Sequence, residues 1–102
     1  MLDLVLKKHW FEKIKSGEKK IDFRKFSDYW KKRILKDGAE LVENSEGYFV
    51  KNSSTQCILR YGYSKVVLYA DIEKIEVWDT KENDLNENPC FAIFLKNVRE
   101  KL

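Results

Sequence analysis

From Cys57 onward the apolar runs follow one another too closely for helices to pass between them. Cys57–Tyr61 and Lys65–Ala70 are β-rich and separated only by Gly62, Tyr63 and Ser64. Ile72, Ile75 and Val77 continue the pattern with charged residues between them. A parallel neighbour needs a crossover of about a dozen residues or more, usually a helix. Repeated strand–helix–strand units are therefore disfavoured, and a mostly antiparallel sheet is expected. The polar stretch 79–89, ending at Pro89, reads as a loop, and Phe91–Leu95 as a last buried strand.

The first third has a different rhythm. Leu2, Leu4 and Leu6 alternate with polar neighbours, as in a short strand. Trp10, Phe11 and Ile14 then fall on one helical face, and Gly17 is placed to stop that helix in a left-handed conformation. The period returns to two from Lys20 to Arg24. Ile21 and Phe23 are expected to point into the core, with Lys20, Asp22 and Arg24 on the opposite face. Ser27 and Asp28 can cap a second helix carrying the apolar pair Trp30 and Ile34, with Gly38 at its end. Residues 39–55 are hardest to read: Tyr48–Val50 suits a strand, whereas 52–55 has loop composition. The whole predicts α+β: five or six short strands in a small barrel-like sheet, with two helices near the N-terminus.

At 102 residues the chain suits one domain, 1–102, burying roughly two-thirds of its unfolded surface. No apolar stretch approaches the ~20 residues of a membrane span, and Met1–Lys8 lacks a signal-like apolar region. Cys57 and Cys90 each lie in apolar runs, which suits buried thiols in a reducing cytoplasm, although the two could also pair. A zinc site would need both cysteines and a carboxylate around His9, the single histidine, so no metal is expected. No Gly-x-Ser-x-Gly or Gly-rich phosphate loop occurs, and no cofactor is expected.

The net charge of +3 is unevenly spread. Residues 1–36 carry 12 Lys and Arg against 5 Asp and Glu, whereas 37–102 carry 8 against 12. Either a basic face meets phosphate, or the two segments fold together and their fields cancel.

The densest polar segment is Ile14-Lys15-Ser16-Gly17-Glu18-Lys19-Lys20-Ile21-Asp22-Phe23-Arg24. A helix ending in Gly-x-Lys, then a strand with an acid followed by arginine, resembles the signature of ASCH domains, small relatives of the PUA fold. Tyr29-Trp30-Lys31-Lys32-Arg33-Ile34, Arg60-Tyr61-Gly62-Tyr63-Ser64 and Phe91–Leu95 extend the resemblance over roughly 2–36 and 56–98, leaving 37–55 as an apparent insertion. The resemblance implies a PUA-like β-barrel whose cleft, lined by Lys19, Asp22 and Arg24, takes nucleic acid or a modified nucleoside. Some bacterial ASCH proteins deacylate a modified cytidine with the motif lysine and a threonine; the corresponding position here is Asp22, which has no hydroxyl.

Two functional readings follow. One is a nucleic-acid-binding module, for RNA, using Lys19, Lys20, Asp22, Arg24, Tyr29, Arg33 and Tyr63. Arg24 supplies a planar fork, Lys19 a point charge, and Tyr29 and Tyr63 stacking rings or hydroxyl anchors of the barrel. The other is a hydrolase of a modified nucleoside or RNA, with Lys19 and Asp22 as acid–base pair and Tyr63 assisting. Asp22 could also simply pair with Arg24 or Lys20. Trp10, Phe11 and Trp30 recur at helical spacing and read as core, with base-stacking platforms as the alternative. Lys31, Lys32 and Arg33 read as a solvated face, with phosphate contact as the alternative.

Overall fold

The computed structural model describes residues 1–79, 85 and 88–102, and most of the loop expected over 79–89 lies outside these. The described residues form seven strands and two helices: β1 (Leu2–Leu6), α1 (Lys8–Lys15), β2 (Ile21–Lys25), α2 (Asp28–Ile34), β3 (Glu40–Asn44), β4 (Gly47–Lys51), β5 (Gln56–Tyr61), β6 (Val67–Trp78) and β7 (Cys90–Arg99). Every ladder is antiparallel except β1 with β5. Neither helix is long and apolar enough to cross a membrane.

β6 is the spine. Its first half pairs with β5, its end with β4, and its other edge with β7. Register shifts at Tyr69/Asp71 and Ile72/Lys74 bend it, because an extra residue in a ladder locally increases twist. The two apolar runs 65–70 and 72–77 thus become one strand. The hairpin β3–β4 occupies the unreadable segment and docks on β6 through Tyr48–Val77 and Phe49–Glu76. Its tight turn is held by Asn44, whose Oδ1 accepts from the Glu46 N–H at 2.8 Å.

The strands β1-β5-β6-β7-β2 curl into a half-barrel around Leu4, Leu59, Ile75, Phe91 and Ile93. Phe11 and Ile14 of α1, and Ile34 of α2, are buried in the same core. Helix α1 stops as its sequence suggests, with Gly17 at φ +82°, whereas α2 ends at Ile34 with Leu35 as its cap, ahead of Gly38, and Asp37 and Gly38 take positive φ in the turn that follows. The Lys19 N–H then donates back to Lys13 O at 3.0 Å, turning the chain sharply from α1 toward β2.

The curl leaves β1 and β2 as its two ends, and among the described residues no ladder joins them. A side chain crosses the gap instead. Arg24 on β2 donates from Nη2 to the Val5 carbonyl on β1 at 3.0 Å. It also donates from Nε to Asp22 Oδ2 at 2.6 Å and from Nη2 to Asp22 Oδ1 at 3.4 Å.

The expected orientation of β2 is therefore reversed. Asp22, only 4% exposed, and Arg24 take the inner face, opposite Ile93 and Phe91 of β7. Ile21 and Phe23 take the outer face, where Phe23 meets Trp78 at 5.3 Å and Trp78 meets Phe94 at 6.0 Å between ring centroids. Two-residue alternation does not say which row faces inward. The outer row finds its own aromatic cover, and the carboxylate inside is neutralised by Arg24.

Removing one partner of a buried pair strands the other charge, at a cost of about 3–5 kcal/mol. Arg24→Met is expected to lower the urea midpoint accordingly, and Asp22→Leu added to it to restore part of the loss. A double variant no more stable than Arg24→Met would contradict this account.

Candidate functional site

The seam between β1 and β2 opens into a cleft of about 360 Å³. β2 supplies Asp22 and Arg24, and the turn after α1 supplies Lys19. α1 contributes Trp10 and α2 contributes Trp30. These five line the cleft together, with Lys7 and Lys25 among its other residues. The three motif residues singled out in the sequence thus converge.

Their states differ from what the isolated chain suggests. Arg24 is not a fork held out to solvent. Its side chain is 14% exposed, its Nε and Nη2 donate to Asp22 and Val5, and its guanidinium carbon lies 4.9 Å from the Trp30 ring centroid. It presents a fixed positive surface, oriented by charge-assisted hydrogen bonds. Lys19 is half-buried, with Nζ 4.8 Å from the Trp10 ring centroid and 5.0 Å from that of Phe23. Burial lowers its pKa below the usual lysine value; the Asp22 carboxylate opposes this shift and Lys13 reinforces it.

Trp10 and Trp30 are half-buried, so they pack against the core and also wall the cleft. Helical spacing reads only the first of these roles. Lys7 and Lys25 lie outside the motif residues, and only their position, immediately after β1 and at the end of β2, marks them in the sequence.

A second cavity of about 400 Å³ adjoins the first across Val5, Leu6, Lys7, Arg24 and Trp30, which line both. It is walled by Tyr29, Tyr63 and Gly62. Tyr63, expected to assist catalysis beside Lys19 and Asp22, lines this second cavity and not theirs. Lys20 and Arg33 are exposed and line neither cavity. Arg33 stacks its guanidinium 3.5 Å above the Tyr29 ring centroid and donates from Nη1 to Tyr29 O at 3.0 Å. Cys57 and Cys90 are buried free thiols; burial, then the nearby Asp22 charge, pushes the Cys57 pKa up to about 12.

Comparisons with protein families, with curated proteins and with solved structures found no match for this chain.

The lowered Lys19 pKa has a consequence for stability. Between the folded pKa and the ordinary value of 10.5, the unfolded chain binds more protons at Lys19 than the folded one, so stability rises with pH there. Below that interval the penalty for burying the charge is present in full; above it, the penalty is gone. Urea midpoints of the wild type should therefore rise relative to those of Lys19→Met as pH approaches 10.5. A falling difference would mean that Asp22 attraction outweighs burial.

Proposed function

We propose that the chain is an RNA-binding module whose cleft accepts an unpaired nucleotide between Trp10 and Trp30. The observation that carries this reading is the lining itself: two indoles, the cations Lys7, Lys19, Lys25 and Arg24, and one buried carboxylate around a single cleft. A base offers a π-face to the indoles, with stacking worth about 1–3 kcal/mol per base. It also offers donors and acceptors at its edge, which Asp22 and Lys19 complement. The backbone phosphate suits the cations at the rim.

Support also comes from the resemblance of 14–24 to the ASCH signature, which implies a PUA-like barrel and a cleft for nucleic acid or a modified nucleoside. The buried free thiols are compatible with a cytoplasmic setting. The basic first third suits recruitment of a polyanion.

A second reading, hydrolysis of a modified nucleoside at the same cleft, draws on one specific observation, the lowered Lys19 pKa, which favours a lysine acting as base. It requires turnover that Lys19→Ala abolishes while the fold survives; a screen of acylated nucleosides and short RNAs without such turnover would remove it.

For the binding reading, the logarithm of affinity for single-stranded RNA should fall linearly with the logarithm of salt concentration. Lys7→Ala should reduce the slope by about 1, whereas Trp10→Ala should weaken binding by about 1–3 kcal/mol and leave the slope unchanged. Fluorescence anisotropy over a salt series reads both quantities. Absence of binding at low salt would overturn the proposal.

A further inference from the structure

The second cavity remains unused by a ligand of one nucleotide. Its two tyrosines are unusual for a core-forming chain: Tyr29 is 55% exposed and Tyr63 is 98% exposed. Neither ring stabilises the half-barrel by burial, and both line the cavity that adjoins the tryptophan cleft.

Each is nevertheless held on ordered backbone. Tyr63 sits at the β5–β6 connection, next to Gly62 with φ +55°. The Tyr61 N–H donates to Val66 O at 3.0 Å, and Ser64 Oγ donates to Tyr61 O at 2.6 Å while accepting from the Val66 N–H at 3.2 Å. The Gly62 N–H donates to Leu6 O at 2.8 Å, which ties the connection to the end of β1. Tyr29 stands on the first turn of α2, with the Arg33 guanidinium stacked on its ring. The Tyr29 ring, held by Arg33, loses little freedom when a base stacks on it, and at Tyr63 the backbone that carries the ring is held.

We infer that Tyr29 and Tyr63 form a second base subsite, and that the ligand is a single strand of at least two nucleotides running from the Trp10–Trp30 cleft over Arg24 to the tyrosines. The inference rests on the nucleic-acid reading of the cleft and deepens it from a nucleotide to a strand. The shared wall carries the geometry. Arg24 and Lys7 line both cavities, so the phosphate joining two adjacent bases would pass the cations common to them. A folded duplex cannot present two splayed bases to neighbouring cavities, whereas a single strand can. Asp3, also in the wall of the second cavity, is held by Arg60, with Nε 2.8 Å from Oδ1, so its charge is balanced locally.

The test uses a randomised single-stranded RNA decamer, end-labelled and followed by fluorescence anisotropy at low salt. Tyr63→Ala should weaken binding by at least about fivefold, Tyr63→Phe should keep wild-type affinity, and Tyr29→Ala should weaken it similarly. None of the three should change the salt slope, because none removes a cation. Trp10→Ala, checked for folding by circular dichroism, should also weaken binding.

If Trp10→Ala loses affinity while both tyrosine-to-alanine variants keep it, the second subsite is wrong and the cleft stands. If Tyr63→Phe loses as much as Tyr63→Ala, the hydroxyl and not the ring face is used, and the stacking subsite is equally wrong. If only the tyrosine variants lose affinity, or the wild type does not bind, the cleft reading fails and the two-subsite strand falls with it.

Discussion

Arg24 crosses the gap that, among the described residues, no ladder closes between β1 and β2. Strands β1 and β2 end the curl from opposite sides, and the guanidinium joins them by donating to Val5 O while holding Asp22. Most other features of the site depend on this arrangement. The Asp22 carboxylate is tolerated in the interior only because its counter-charge lies beside it. The same guanidinium supplies a flat surface near Trp30 and forms the wall shared by the two cavities. A closed ladder between β1 and β2 would have satisfied the backbone and left no cleft.

The uneven charge acquires a definite structure. Several positive groups of the first third lie over aromatic rings: Lys31 over Phe26 at 4.3 Å, Arg33 over the exposed Tyr29 at 3.5 Å, and Lys19 over Trp10 at 4.8 Å. Cation–ring attraction orders these side chains at modest cost and is stronger where water is partly excluded. The helices therefore bring rings and cations to the β1–β2 end together. The acidic segment 40–46 lies on the β3–β4 hairpin, which pairs with β6 at Glu76 and Val77, and its side chains are largely exposed. Among the described residues, Arg60 and Asp3 form a salt bridge that reaches between the two segments.

The sequence was most legible where a local rule has one outcome. The Gly17 stop, the period change into β2 and the Ser27 cap each follow from chemistry within a few residues, and they bring Lys19, Asp22 and Arg24 to one place. It was least legible where the outcome depends on a partner distant in sequence. The outer row of β2 finds its partners late in the chain: Phe23 meets Trp78, which in turn meets Phe94. The union of two apolar runs into β6 depends on bulges against β7, and the β3–β4 hairpin is too charged for its alternation to stand out. Trp10 and Trp30 are core residues and cleft walls at once, and spacing alone registers only the buried side.

Of the three tryptophans, two line the cleft and the third, Trp78, lies on the outer face of the sheet with its Nε1–H donated to Glu76 at 3.0 Å. The indole N–H resonances therefore form an internal comparison within one protein. Titration with single-stranded RNA, followed by proton–nitrogen correlation spectra, is predicted to shift the Trp10 and Trp30 indole signals together while Trp78 stays in place. A shift confined to Trp78 or to the backbone of the β3–β4 hairpin, or no shift at all, would contradict a nucleotide site at the Arg24 seam.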